Sequence, residues 1–138
     1  MLFLAKPILF MQNSEISELL ELTADLMDIH EENEFKAKAF RGAASRLDKL
    51  LVSISNSNAE ELEKVHGFSK TMSGNIAEIL ASNSFSDLNI LLNKTPKGVL
   101  ALMQIKGLGP KKVKTLWKEY EIANIDALEK ACLDNKLA

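Results

Sequence analysis

Ile105-Lys106-Gly107-Leu108-Gly109-Pro110-Lys111-Lys112 sets two glycines and a proline between two segments whose apolar residues recur at helical spacing. Ahead of it stand Val99, Leu100, Leu102 and Met103; after it come Val113, Leu116 and Trp117. The segment therefore predicts two short helices joined by a tight hairpin. Such a hairpin needs positive φ or a very close backbone approach, both of which glycine tolerates. Proline at the first helical position gives up an amide that would be unpaired there in any case. The amides of Gly107, Gly109 and Lys111 then stand at a helix N-terminus with no intrahelical acceptor, where the helix dipole favours an anion. Lys106, Lys111, Lys112 and Lys114 supply charge that neutralises phosphates without reading bases. The same residues have a plainer explanation: glycine then proline ends one helix and starts the next, and the lysines solvate an exposed face. The helix before the turn, the proline-started helix after it and the lack of nearby acid favour phosphate.

Forty residues upstream, Val65-His66-Gly67-Phe68-Ser69 repeats the pattern hydrophobic, any, glycine, hydrophobic, small. Ser69 stands where a second glycine is wanted, and Glu60, Glu61, Glu63 and Glu78 crowd the flanking Lys64 and Lys70. For Gly67, Ser69 and Lys70 a phosphate-binding role and a purely structural one are evenly matched. Two copies are too few for a solenoid. No stretch alternates apolar and polar residues long enough for a strand. The expected fold is all-α: two small helical units, each containing a helix-hairpin-helix motif, with about eight short helices.

Further helices are predicted over 14–29, with Ile16, Leu19, Leu20, Thr23, Leu26 and Met27 buried, and over 34–53, with Phe40, Ala43, Ala44, Leu47, Leu50, Leu51 and Ile54 on one side. Ser57 with Glu60 reads as a capping box, Ser84 or Ser86 as the start of a helix holding Leu88 and Leu91, and Thr95-Pro96 as a cap followed by proline at the first position. Asn124 caps the last helix. The chain divides into an extension at 1–13, a first unit at 14–83 and a second at 84–138.

The composition, 46% hydrophobic and 26% charged, is that of a globular protein with a core. A net charge of −2 speaks against a nucleic-acid partner until its distribution is read. Eight acids and no lysine or arginine lie between Glu15 and Glu34, whereas six lysines and no acid lie between Thr95 and Lys118. The molecule is bipolar. Cys132, alone, forms no internal disulfide and reads as a small buried helix residue; no Cys/His cluster has zinc spacing. A reducing cytoplasm fits. Residues 1–10 are apolar but too short to span a bilayer and lack a basic n-region, and Met11 directly precedes the first helix. No membrane partner is expected. His30 and His66 read as helix-end or turn histidines, and Trp117 as a core anchor.

Across 14–138 the sequence resembles the N-terminal region of family X DNA polymerases, of the DNA polymerase beta type, especially the bacterial members that also carry a PHP domain. The resemblance rests on residues 22–29 (LTADLMDI), 32–44 (ENEFKAKAFRGAA), 65–68 (VHGF), 95–98 (TPKG), 105–112 (IKGLGPKK) and 122–128 (IANIDAL). It implies a first unit akin to a lyase that removes 5′-deoxyribose phosphate through a lysine Schiff base, and a second hairpin that grips duplex DNA. It further implies a monovalent cation, K⁺ or Na⁺, on backbone carbonyls at each hairpin. Matching positions are Met103, Ile105 and Leu108 in the second and Glu63, Val65 and Phe68 in the first.

Lys36 and Arg41 keep family positions of the phosphate pocket, but the Schiff-base lysine aligns with Asn75, the phosphate lysine with Thr71 and the neighbouring tyrosine with Phe40. Asparagine has no amine with which to form an imine. The family's polymerase aspartates lie in a later domain, beyond Ala138. The expectation is therefore a non-catalytic monomer that binds DNA backbone independently of sequence, on gapped or nicked duplex, with further polymerase domains as partners and no required cofactor. Two alternatives stand beside it: a lyase using a displaced lysine such as Lys70, and a protein-interaction module using the acidic face of the first helix.

Overall fold

The computed structural model describes residues 11–134; expectations about residues 1–10 and 135–138 lie outside them. Among the described residues the chain forms eight helices and no strand: α1 (Asn13–Ile29), α2 (Glu34–Lys49), α3 (Ala59–Lys64), α4 (Lys70–Ser82), α5 (Ser86–Asn93), α6 (Lys97–Leu102), α7 (Pro110–Tyr120) and α8 (Ile125–Leu133). No described helix is long and apolar enough to cross a membrane.

Packing gathers the apolar side chains into two clusters. The larger joins Ile16, Leu20 and Leu26 of α1 to Phe40, Ala44 and Leu47 of α2, to Ile76 and Ile79 of α4, and to Leu88 and Leu91 of α5. Ala37, Ala43 and Ala44 are small enough to let α1 and α2 lie close together. The smaller cluster contains Val99, Leu102, Val113, Leu116, Ile122 and Ala131, and it is completed by Ile29 from the last turn of α1. The seam between clusters thus follows packing and not chain order. Helix α1 contributes to both, while Phe85, Leu88 and Leu91, beyond residue 83, belong to the first.

Several local expectations are corrected. Helix α2 stops at Lys49, and Leu51, read as buried, is fully exposed. The capping box before α3 is Asn58 with Glu61, not Ser57 with Glu60. Phe85 precedes α5 without a side-chain cap, so neither Ser84 nor Ser86 performs that task. Thr95 does not cap α6, because its hydroxyl is already committed. Buried at the end of α5, it donates to the Leu91 carbonyl at 2.7 Å and meets His30 Nε2 at 2.8 Å. Pro96 takes the cap position and Lys97 starts the helix. Cys132 is exposed, on the outer side of α8.

One glycine is needed for packing. A Cβ on Gly98 would lie 2.0 Å from the Ala123 carbonyl oxygen, so α6 sits against the segment before α8 only because Gly98 has no side chain.

Candidate functional site

The two hairpins share a left-handed glycine, but their turn bonds differ: Phe68 N–H reaches the Leu62 carbonyl in the first, whereas Leu108 N–H reaches the Ile105 carbonyl in the second. Gly67 has φ of 76° and Gly107 of 92°, the left-handed region that disfavours any side chain. The second residue after each, Ser69 or Gly109, is extended and caps the following helix. Beyond that the hairpins diverge. At α4, Ser69 Oγ accepts the Met72 amide at 3.1 Å, so the helix satisfies one of its own unpaired donors. At α7, Gly109 has no side chain to offer and Pro110 occupies the first position. The turn's own bonds run from Ile105 N–H to the Leu102 carbonyl and from Leu108 N–H to the Ile105 carbonyl, both at 3.1 Å. The amides of Gly107, Gly109, Lys111 and Lys112 have no acceptor among the described residues, and all four residues are exposed.

The two glycines of the second turn therefore serve different ends. Gly107 holds a positive φ, whereas Gly109 has ordinary extended angles and open space where a Cβ would be. The missing side chain at 109 keeps the first amides of α7 accessible.

Lys106, Lys111 and Lys112 are exposed around this turn and form no ion pair among the described residues. They edge a groove of about 650 Å³ whose floor includes Ile105, Leu108 and Leu116. Lys114 points the other way, 3.7 Å from Glu31 at the end of α1. Lys118 lies over the Trp117 ring at 3.9 Å, and Trp117, half-buried, meets His30 edge-on at 5.5 Å.

The charges separated along the sequence are thus partly brought together by the fold. Lys94 pairs with Glu32, and Arg41 Nη2 donates to Asp25 at 2.8 Å and Asp28 at 2.7 Å. Burial, the largest single influence on Arg41, lowers its pKa; the hydrogen bonds and charges of the two aspartates overcome this and raise it. Lys36 donates to Asp87 at 3.0 Å. Lys36 and Arg41 are therefore engaged by carboxylates rather than presented to solvent as a pair. Phe40 is buried against Phe85, ring centroids 5.6 Å apart, as a core residue. Thr71 is exposed and Asn75 half-buried on α4. Lys70 lies five residues before Asn75, roughly 140° around the helix at about 100° per residue, so its amine points to a different side.

Arg46 carries no expectation from the sequence. In the structure its Nη1 donates to the Gly67 carbonyl at 2.6 Å and its guanidinium lies 5.4 Å from the Phe68 ring centroid, on the first hairpin. No local motif marks it, because the contact joins residues 21 positions apart.

Hard cations take oxygen ligands, and the turns offer carbonyls. Of those in question, Ile105 O already accepts Leu108 N–H, and Phe68 O receives Ser73 Oγ at 3.5 Å. Neither bond uses the second lone pair of its carbonyl.

Residues 11–85 match the family described as helix-hairpin-helix domain. That match includes the first hairpin; the second lies beyond it. A similar protein is the DNA polymerase/3′-5′ exonuclease PolX of Bacillus subtilis (strain 168), 32% identical over 127 residues, which make up 92% of this chain. The chain spans 22% of that relative's length.

Proposed function

The chain belongs to the helix-hairpin-helix domain family, and on that premise we propose that it binds the DNA backbone independently of sequence, as the DNA-gripping module of a repair polymerase. The observation that carries the proposal is the start of α7: amides of Gly107, Gly109, Lys111 and Lys112 without acceptors among the described residues, beside three lysines that no described carboxylate engages. Phosphate oxygens accept from such amides, and the dipole of an eleven-residue helix adds attraction at that end. The three ammonium groups displace counterions from the backbone, which provides affinity and salt dependence but no base readout. The likeness to PolX, whose name is that of a DNA-processing enzyme, supports the choice of DNA.

A monovalent cation fits the carbonyls of Met103, Ile105 and Leu108, and less readily those of Glu63, Val65 and Phe68. Bound there, it would add a positive charge between turn and phosphate. Gapped or nicked duplex is the proposed substrate class. Lyase chemistry is not part of the proposal, since Asn75 lacks the amine and Lys70 faces elsewhere on α4.

The test is binding of gapped and intact duplex across a salt series. The logarithm of the affinity should fall against the logarithm of salt with a slope of about −3, at about −0.9 for each of the three phosphates neutralised. Gly109→Glu, which places a carboxylate over the free amides, should abolish binding while leaving the melting temperature near that of the parent. Absence of salt-sensitive binding at low ionic strength would refute the proposal.

A further inference from the structure

At hairpin 1 Ser69 caps Met72, while the amides of Gly67, Ser69, Lys70 and Thr71 have no acceptor among the described residues. A side-chain donor stands beside them. Arg46 reaches from the last turn of α2 to the hairpin and spends one N–H on the Gly67 carbonyl. Its plane is held against Phe68. A guanidinium has five N–H donors, and a carbonyl cancels none of its charge. The groove around it, about 380 Å³, is lined by Ala39, Gly42, Ala43, Gly67, Ser69 and Met72, with no carboxylate among its lining residues. Arg46 is exposed and forms no ion pair among the described residues, whereas Arg41, five positions earlier, is held by two aspartates.

Pinning the turn does not require an arginine, since any donor of suitable reach could bond one carbonyl. What arginine adds is an oriented planar fork of spare donors with full charge, the geometry that matches a phosphate. The small residues on α2 and the turn leave room for a strand's sugar and phosphate to approach that fork. We propose that Arg46 is a phosphate contact, so that hairpin 1 meets a DNA strand with a side-chain guanidinium for which hairpin 2 has no counterpart. This inference rests on the DNA-binding reading above and extends it to a second contact point.

The experiment compares wild type, Arg46→Gln and Gly42→Glu on a gapped duplex bearing a 5′-phosphate, across the same salt series, with melting curves alongside. Glutamine keeps a donor for the Gly67 carbonyl and removes the charge. Gly42→Glu removes no contact: a Cβ there meets nothing within 4 Å, and its carboxylate lies one helical turn before Arg46, placed to neutralise it. Both variants should bind about tenfold more weakly, as expected for losing a charge-assisted hydrogen bond, with a salt slope shallower by about one. If Arg46→Gln fails to fold, Gly42→Gln, which fills the groove without charge, is compared with Gly42→Glu, and only the carboxylate should make the slope shallower. An unchanged slope, or wild-type affinity in both variants, overturns the assignment and leaves Arg46 as a strut of the turn. A wild-type chain that does not bind DNA at all defeats the earlier reading instead, so the two failures are distinguishable.

Discussion

His30 illustrates how much one side chain carries. It ends α1 at the junction of the two clusters, and its Nε2–H donates to Thr95 Oγ1, which itself donates to Leu91. Burial first, then the charges of Lys94 and Lys118, hold its pKa below the ordinary histidine value. A base whose folded pKa is depressed binds protons more readily unfolded, so its contribution to stability is intact above about pH 6.5 and is lost as pH falls through the folded value. Melting temperature should therefore decline from pH 7 to pH 5. His30→Gln, which keeps a donor for Thr95 without titrating, should flatten that decline, and an unaltered pH profile would count against the linkage. At the second turn, Lys111→Glu combined with Lys112→Glu should remove salt-sensitive DNA binding, read by the same titration. Lys114, engaged by Glu31, should contribute less: Glu31→Gln should raise affinity by roughly twofold, the scale of an exposed ion pair.

Element by element, the glycines give the sharpest contrast. Gly42 and Gly74 lie inside α2 and α4 with open space where a Cβ would stand. Alanine at either should stabilise the protein by about 0.5–1 kcal/mol, the helix-propensity difference. Gly98→Ala, the same chemical change, should destabilise it by about 1–3 kcal/mol, because its methyl group would meet the Ala123 backbone. Urea titration of the three variants reads both signs.

The helices themselves were legible from periodicity: Ile16, Leu20 and Leu26 recur at helical spacing, and Asn124 and Pro110 mark their helix starts as expected. The positive φ at Gly107 was legible too, since a turn that tight needs glycine. Thr95 was misread because its side chain found a partner on α1, 65 residues away. Leu51 was misread because α2 ends two residues before it, leaving it beyond the face that continued periodicity would give it. Local pattern cannot register either event.

For the whole molecule, the charge split read along the chain described the chain and not the folded surface. Glu31 and Glu32 meet Lys114 and Lys94, and Asp25 and Asp28 hold Arg41, so part of the bipolarity cancels internally. Among the described residues, the cations left uncancelled at the hairpins are Arg46 and Lys70 on the first and Lys106, Lys111 and Lys112 on the second. That set appears only when three-dimensional pairing is known, which is why Arg41 looked available in sequence and Arg46 did not stand out. Ile29 offers the test at this scale. It is fully buried in the second cluster while its helix founds the first. Ile29→Ala should lower stability by about 2–5 kcal/mol, with a single cooperative unfolding transition retained.

A helix that serves as a wall of both cores leaves no hinge between them. Cutting the gene after residue 83 would remove one side of the downstream core, so the excised half should behave as a loosely collapsed chain rather than a smaller folded protein. It also keeps the two glycine bends at a set distance, like the points of a locked caliper. A strand spanning both must adapt its own curvature to that gap, and a duplex interrupted by a gap bends more readily than an intact one.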